Sequence, residues 1–399
     1  MNNAAFDREE IIGNSNVRSV FVPNKPIDSV ELFCGRQQEV ARILECMGTE
    51  GMHLLLYGDR GVGKTSLSQI TCTILLREHK IPSFFIKRCD SGDTFASIAK
   101  SILEELKIKC VHKQQSTWGI ASFWNLFSIR KGGCKEYVTS DDINSPSWVA
   151  KKIHHHSGVF LIDEVDVLKH IEDKEKLAEL IKQLSDYQSQ FTIFIVGISK
   201  TAKELIGGHP SVQRCIKEIQ LQRMSDSELT DIITRGAERL HLSFSESVQR
   251  SIVKASAGFP YFTQLLALKS AEEAVAKGVN YVTEDDFVVA VRRAVDDLEG
   301  SLKDHYDAAI IGQKMERNKR ILLAAALCGE DFFTAKQLKD NYAAVCNQNI
   351  SQQELNNFLS PNIISGGYTT ILRRVAKGTY IFNDPRMPSF IRLINNYIE

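Results

Sequence analysis

The sequence lacks a net charge, a long apolar run and any recognisable targeting segment. Its 399 residues include 49 Lys and Arg against 49 Asp and Glu. Such a balance gives no support for non-specific binding to nucleic acid, so any DNA contact must come from a local patch. No apolar run is long enough to cross a bilayer, and the polar residues 1–10 do not resemble a secretory signal. We therefore expect no membrane partner.

The chain also lacks closely spaced cysteines. Its nine cysteines are scattered, and none forms a C-x-x-C pair. This usage is typical of reduced thiols and predicts a cytoplasmic protein. Cys110, His112, Cys134 and the triplet 154–156 are residue types that bind zinc, but their spacing matches no compact zinc pattern. Solvated or core residues are the favoured interpretation.

A glycine-rich segment is the most informative feature present. Residues 58–65 read GDRGVGKT and fit G-x-x-x-x-G-K-[ST]. An apolar run, 53–57, precedes the segment, and a helical pattern over 66–78 follows it. A strand, a glycine-rich turn and a helix N-terminus in this order form a phosphate cradle of backbone N–H groups. The pattern predicts that Lys64 reaches the outer phosphates of a nucleotide and that Thr65 ligates Mg²⁺.

A second motif supports this interpretation. Residues 159–164 read VFLIDE, an apolar run that ends in two acids. Ligands of parallel sheets bind at the carboxyl ends of strands. We expect Asp163 beside the Mg²⁺ and Glu164 beside the attacking water. A buried strand followed by a solvated acidic turn is the alternative, and the phosphate loop makes it less favoured.

Strands and helices alternate through the first half of the chain. Five candidate strands, at 53–57, 83–88, 158–163, 191–197 and 216–221, are separated by helical segments. This order predicts an α/β fold with a five-stranded parallel sheet covered on both faces. From Ser225 the pattern is helical, and the sequence Ser225 to Glu228 fits a capping box. The predicted domains are an arm (1–30), a core (31–224) with an insertion (108–157), a helical lid and linker (225–315), and a C-terminal block (316–399).

Two further polar residues lie at informative places. Ser199 follows the fourth strand, where it could contact the γ-phosphate, although a strand-end serine is more often a helix cap. Arg214 precedes the fifth strand. It could reach a nucleotide held by a neighbouring subunit, or form a surface ion pair.

Together these residues resemble the AAA+ ATPases, in the branch that holds origin-recognition initiators, STAND-type ATPases and transposition regulators. The resemblance covers about residues 28–300 and implies ATP and Mg²⁺ as ligands. It implies Walker A at 58–65, Walker B at Asp163 and Glu164, sensor 1 at Ser199 and an arginine finger at Arg214. The N-terminal box 32–36 would lie near adenine. The implied nucleotide-binding residues are Gly58, Asp59, Arg60, Gly61, Val62, Gly63, Lys64, Thr65, Ser66, Phe33, Arg36, Pro260 and Tyr261.

The chain departs from this branch in two places. Tyr261 follows Gly258-Phe259-Pro260, where the family usually carries the sensor-2 arginine, so another residue has to serve or lid closure is weaker. The insertion carries aromatic residues at near-helical spacing, Trp118, Ile120, Phe123, Trp124 and Phe127, followed by Arg130 and Lys131. They favour packing against the core over a docking helix.

The C-terminal block reads as a winged helix. Helices are expected at 317–328, 334–345 and 352–359, followed by strands at 370–375 and 379–382 hinged at Lys377-Gly378. Gln and Asn side chains of the third helix could read base edges, and basic wing residues could contact phosphates. The predicted DNA-binding residues are Arg373, Arg374, Lys377, Gln353 and Asn357.

Three functional hypotheses follow. The first is an ATPase that assembles with itself on ATP, binds double-stranded DNA and regulates a separate effector or recombinase in a mobile-element, replication or phage-defence context. The second is a STAND-like switch whose winged helix docks protein. The third, a nucleotide-binding scaffold with little turnover, is disfavoured by Asp163, Glu164 and Arg214. The D-E-x-D at 163–166 also resembles superfamily 2 helicases, but no second motor domain follows.

Overall fold

The computed structural model describes residues 16–108, 111–112, 137–138, 140–199, 201–206, 212–297, 300–311, 314–328, 332–362 and 370–395. The aromatic stripe of the insertion, with Arg130 and Lys131, and the residues Cys110 and Cys134 lie outside these ranges. Within them, no helix is long and apolar enough to span a membrane. The described cysteines are free, with no disulfide between them.

A five-stranded parallel sheet forms where the alternating pattern predicts it. Its strands are β1 (His53–Gly58), β2 (Phe84–Arg88), β3 (Gly158–Asp163), β4 (Phe191–Ile198) and β5 (Ile216–Leu221). Their order in the sheet is β2-β3-β4-β1-β5, and every neighbouring pair is parallel. The central strand β3 is buried at all six of its residues, because helices cover both faces. The carboxyl ends of β1, β3 and β4 therefore share one edge of the sheet.

Helices of the first half precede or separate these strands, as the alternating pattern predicts. The helix Gln37–Met47 precedes β1, and the helix after the phosphate loop, predicted over 66–78, runs over Lys64–Arg77. The others are Phe95–Glu105, Ser140–Ile143, Pro146–Ile153, Ile171–Asp186 and Ala202–Ile206, with a 3₁₀ turn at Val165–Val167. Apolar side chains of these helices and of the central strands form a core that includes Ile98, Phe160, Leu180 and Ile193, none more than 1% exposed.

The helical second half begins at the predicted capping box. The Ser225 side chain accepts a hydrogen bond from the Glu228 N–H, and the Glu228 side chain accepts one from the Ser225 N–H. The lid helices are Asp226–Leu240, Glu246–Ser256, Pro260–Ala276, Glu284–Asp297 and Gly300–Ile310. Two-residue strands also pair, Ser243–Phe244 with Tyr281–Val282 and Val111–His112 with Tyr137–Val138.

The C-terminal block contains more sheet than its pattern indicates. Its helices are Met315–Ala326, Ala335–Cys346, Gln352–Asn362 and Met387–Ile394. Three antiparallel strands, β6 (Phe333–Thr334), β7 (Leu372–Ala376) and β8 (Thr379–Phe382), pair in the order β6-β8-β7. The sequence pattern predicts a two-stranded ribbon, because the two residues of β6 are too few to show a strand period. The element order is that of a winged helix, and the winged-helix assignment stays a prediction.

Two compact units emerge from contacts within the chain. The sheet unit comprises Gln37–Gly58 and Leu67–Leu221. The loop-and-lid unit comprises Met1–Arg36, Asp59–Ser66 and Gln222–Glu399, so the phosphate loop groups with the lid and the C-terminal block. The four-domain division stays a prediction. Part of the arm packs on the lid: Val22 N–H donates to Gln264 Oε1 (3.0 Å), and Arg18 pairs with buried Glu272 (2.6 Å).

Candidate nucleotide site

The phosphate loop has the backbone that a nucleotide cradle requires. Gly61 and Gly63 take φ of 84° and 95°, a region that strains any residue with a side chain. A Cβ at Gly63 would meet only Pro260 Cγ, at 3.8 Å, so the glycine leaves space above the loop. Lys64 begins the following helix, is 8% exposed, and donates from Nζ to the Asp59 carbonyl at 2.7 Å. The lysine is thus held along the loop, where phosphate oxygens would compete for its charge.

The predicted N-terminal box braces this loop. Arg36 is buried, and its Nη2 donates to the carbonyls of Val62 (3.1 Å) and Gln222 (2.6 Å). Its backbone N–H donates to Glu228 Oε1 at 2.8 Å. Burial would raise the pKa of Glu228, but hydrogen bonds from Arg36 and Ser225 hold it below its usual value. Arg36 is therefore placed at the loop backbone, where it orders the residues that would hold phosphates.

Other residues of the arm also lie beside the loop. The Ile27 N–H donates to the Ser66 hydroxyl at 3.1 Å. Phe33 is half-buried, and its carbonyl accepts from Arg235 Nη1 at 3.4 Å. A role for Phe33 at the adenine stays a prediction.

The lid brings Pro260 to the same loop, and Tyr261 is the next residue. Pro260 is the first residue of the helix Pro260–Ala276, where a missing N–H costs nothing. Gly258 takes φ of 84°, and the Met224 N–H donates to its carbonyl at 2.9 Å. The Arg223 guanidinium lies over the Phe259 ring, 4.8 Å from its centroid. The Gly-x-Pro turn is thus fixed on the chain that leaves β5.

An arginine of the C-terminal block lies against the loop, and the sequence pattern did not reveal it. A Cβ at Gly61 would come within 2.9 Å of Arg386 Cδ. Arg386 is 3% exposed, and its guanidinium lies 5.9 Å from the centroid of the Tyr261 ring. Tyr261 follows Pro260, at the position where the resemblance predicts an arginine. The only sequence signal was an Asp-Pro turn before the last helix, which does not point to a nucleotide.

Asp384 holds this arginine in place. Arg386 Nε and Nη2 donate to the two Asp384 oxygens at 3.1 and 2.8 Å, a bidentate pair. Burial would raise the pKa of Asp384, but the hydrogen bonds and charge of Arg386, with a contribution from Arg60, lower it. Burial lowers the pKa of Arg392, and nearby Arg223 adds to that lowering. This side of the loop is therefore rich in arginine.

The predicted acids lie at the end of β3, in the sheet unit. Asp163 is 3% exposed, and its Oδ1 accepts from the Glu164 N–H at 2.9 Å. Glu164 is exposed and takes φ of 61°, the left-handed region that non-glycine residues rarely adopt. It precedes the 3₁₀ turn Val165–Val167. Backbone strain of this kind clusters at functional sites.

Ser199 lies next to this turn, as the strand order requires, because β4 separates β3 from β1. Its hydroxyl is 2.5 Å from Glu204 Oε2 and 2.7 Å from the Thr201 carbonyl, and it accepts from the Thr201 N–H at 3.1 Å. The hydroxyl thus anchors the short helix Ala202–Ile206, which is the alternative that strand-end serines favour. A contact with phosphate stays a prediction.

Arg214 is exposed on the turn before β5, at the edge of the sheet. Because the sheet is parallel, the amino end of β5 lies opposite the edge at which Asp163 and Ser199 emerge. Among the described residues, its guanidinium has no ion pair or hydrogen bond. The preceding residues 207–211 lie outside the described ranges. Its role as an arginine finger stays a prediction.

The predicted DNA-binding residues are all exposed. Arg373, Arg374 and Lys377 lie on the hairpin of β7 and β8, and Arg374 Nε donates to the Ala376 carbonyl at 3.3 Å. The helix Gln352–Asn362 buries Leu355, Phe358 and Leu359. Gln353 and Asn357 are one turn apart on its exposed face.

Comparison with protein families decides the classification. The model of the novel STAND NTPase 1 family matches residues 27–321, which span the phosphate loop, the acids and the lid. This chain belongs to that family. Its fold is that of the AAA+ P-loop ATPases. No curated protein matches the sequence.

Solved structures share this fold at low sequence identity. The Walker-type ATPase of Pyrococcus abyssi has 18% identity and a TM-score of 0.50, covering 92% of this chain and 99% of that one. The ORC2 protein of Aeropyrum pernix, in ADPNP–ADP complexes, has 15% identity and a TM-score of 0.50, covering 96% and 97%. Cdc6p of Pyrobaculum aerophilum has 16% identity and a TM-score of 0.48, covering 96% and 99%.

Proposed function

We propose that this protein binds ATP with Mg²⁺ and hydrolyses it. The observation that carries the proposal is the loop 59–66, with its positive-φ glycines and with Lys64 held along it at the start of a helix. Such a loop binds the outer phosphates of a nucleotide through backbone N–H groups and the lysine. The membership in an NTPase family and the ADPNP–ADP complexes of the Aeropyrum protein support the choice of ATP.

The side chains that we propose for Mg²⁺ and for the hydrolytic water carry suitable donor atoms. The Thr65 hydroxyl and the Asp163 carboxylate are hard oxygen ligands, which Mg²⁺ prefers. The ion would neutralise charge on the phosphates when bound. Glu164, exposed at a strained turn, would orient and deprotonate the attacking water. Lys64 would neutralise phosphate charge in the ground state.

Arg386 would supply the arginine that position 261 lacks. Its guanidinium is already aligned by Asp384 and Tyr261 beside Gly61. There the Arg386 guanidinium would stabilise charge on the transferred phosphoryl group. The C-terminal block would then act in nucleotide binding as well as in any contact with a partner.

We further propose that ATP promotes assembly with other copies of this chain, and that the C-terminal block contacts double-stranded DNA. An exposed Arg214 and an exposed basic hairpin support these two points. The regulated partner would be a separate effector or recombinase. The alternative is a STAND-like switch whose C-terminal block docks protein. Membership in a STAND NTPase family supports this alternative.

Two variants test the proposed activity. Lys64→Ala should abolish ATP binding, because the phosphate charge loses its partner. Glu164→Gln should keep ATP binding and stop hydrolysis, because an amide cannot accept a proton from water. Equilibrium binding of labelled ATP and release of phosphate separate the two effects. Hydrolysis by Glu164→Gln at the wild-type rate would contradict the role given to Glu164.

A further inference from the structure

The turn after β3 and the end of β4 are tied together by one carboxylate. Asp166 Oδ1 accepts a hydrogen bond from the Ile198 N–H at 2.7 Å. Asp166 belongs to the 3₁₀ turn Val165–Val167, whose Val167 N–H donates to the Glu164 carbonyl at 3.1 Å. Glu164 and Asp166 therefore belong to one short hydrogen-bonded segment, which Asp166 links to the neighbouring strand.

Gly197 of β4 leaves space for the Asp166 carboxylate. A Cβ at Gly197 would lie 3.2 Å from Asp166 Oδ1 and 2.8 Å from Leu205 Cδ2, so only glycine leaves the space that both occupy. Ile198 pairs in register with Gly58, the residue from which the phosphate loop departs. Ser199 follows directly. The hydrogen bond thus links the Glu164 turn to Ile198, which precedes Ser199 and pairs with the last residue of β1.

The hydrogen bond between Asp166 and Ile198 bears on how the position of Glu164 is maintained. Its left-handed backbone is unfavourable for glutamate, and its own side chain is exposed, so the core packing of Val165 holds the next residue but not the Glu164 carboxylate. A general base must stay within a fraction of an ångström of its productive position. Val165 packs in the same core cluster as Ile193 and Ile195 of β4, and the bond from Ile198 adds a polar link between Asp166 of this turn and the end of that strand.

We propose that Asp166 is a positioning residue for ATP hydrolysis: it acts through Glu164, holding the strained turn against β4. The proposal rests on the proposed hydrolysis. Asp166 transfers no proton itself. Its required feature is a side-chain oxygen that reaches the Ile198 N–H and accepts its hydrogen bond.

Three variants separate positioning from general stability. Asp166→Asn keeps an acceptor oxygen for the Ile198 N–H and should retain kcat within about threefold of wild type. Asp166→Ala should lower kcat by about 10- to 100-fold while leaving the affinity for ATP within about twofold, because the phosphate loop is intact. Asp173→Ala is the matched control, since Asp173 Oδ1 also accepts from a backbone N–H, that of Phe95 at 2.8 Å, in the same unit. It should lose thermal stability but keep kcat.

Hydrogen exchange tests whether the loss of activity accompanies loss of the bond to Ile198. Hydrogen exchange should rise in the peptide that contains Ile198 for Asp166→Ala and not for Asp166→Asn. The idea fails if Asp166→Ala keeps wild-type kcat, or if Asp166→Asn is as slow as Asp166→Ala. Absence of hydrolysis by the wild type overturns the proposed function together with this role, whereas the first two outcomes overturn this role alone.

Discussion

At the scale of residues, His53 shows how deeply the sheet is shielded from water. It is fully buried, and its Nδ1 accepts from the Ile193 N–H at 3.0 Å, so Nε2 carries the proton and has no partner among the described residues. Burial lowers the pKa of His53 to about 3. A histidine that stays neutral in the folded state makes folding sensitive to acid.

The expected result is a loss of stability on acidification. The folded pKa lies below the unfolded value of about 6.5, so the stabilisation is present above pH 6.5 and is lost as pH falls towards 3. Between pH 7 and pH 5 His53 should cost about 2 kcal/mol of unfolding free energy. Urea unfolding of His53→Asn, which keeps an acceptor but cannot titrate, should show a flatter pH dependence. His170→Asn, at an exposed site, is the control for replacing a histidine by asparagine.

Arg386 is the second residue whose role depends on its surroundings. Arg386→Ala combined with Asp384→Asn should weaken ATP binding by about tenfold or more, because a charged hydrogen bond to phosphate is worth about 1.5–3 kcal/mol. The second change avoids leaving an unpaired carboxylate beside the loop. Titration with labelled ATP gives the affinity, and Arg373→Ala on the exposed hairpin is the control. Unchanged affinity and unchanged hydrolysis would rule Arg386 out of the site.

At the scale of elements, the hairpin of β7 and β8 exposes its basic side chains to solvent and buries apolar side chains at other positions. Leu372 and Tyr380 are buried, and a bulge follows Arg374. Gly378 closes the hairpin with φ of 76°. Exposed cations on a rigid ribbon suit phosphate contacts, and the Gln/Asn face of the helix Gln352–Asn362 suits base edges.

The hairpin prediction concerns the salt dependence of DNA binding. Replacing Arg373, Arg374 and Lys377 together by Glu should weaken binding to duplex DNA. It should also reduce the slope of log affinity against log salt by about 0.9 per lost phosphate contact. Fluorescence anisotropy at several salt concentrations measures both quantities, and ATP binding should be unaffected. If the wild type with ATP binds no DNA even at low salt, the protein-docking function of this block becomes the better account.

At the scale of the whole molecule, the placement of Arg214 predicts activity that depends on assembly. It lies at the amino end of β5, opposite the sheet edge that carries the acids, so it would serve a nucleotide on another copy. Arg214→Ala should bind ATP nearly normally and lose most turnover. Mixing it with Lys64→Ala should restore part of the activity. The Arg214→Ala subunits supply an intact phosphate loop, and the Lys64→Ala subunits supply Arg214. Full activity in a strictly monomeric protein would be incompatible with this arrangement.

The sequence by itself determined the features that short stretches encode. The five strands, the loop 58–65, the acids after β3 and the capping box at Ser225 each depend on neighbours along the chain, so their patterns could be interpreted directly. The positions of Asp163, Glu164 and Lys64 follow from the same local rules. The third strand of the C-terminal sheet escaped prediction because two residues cannot show a period.

Only the tertiary structure decided which distant residues meet. The order β2-β3-β4-β1-β5 places Ile198 between Asp166 and Gly58, and nothing local to the D-E-x-D motif indicates that contact. Arg386 is more than a hundred residues from Tyr261, and it reaches the loop because its last helix packs on the lid helices Glu246–Ser256 and Glu284–Asp297. Such contacts arise from the burial of apolar faces far apart in the chain, which leaves no signature at the polar residues that they bring together.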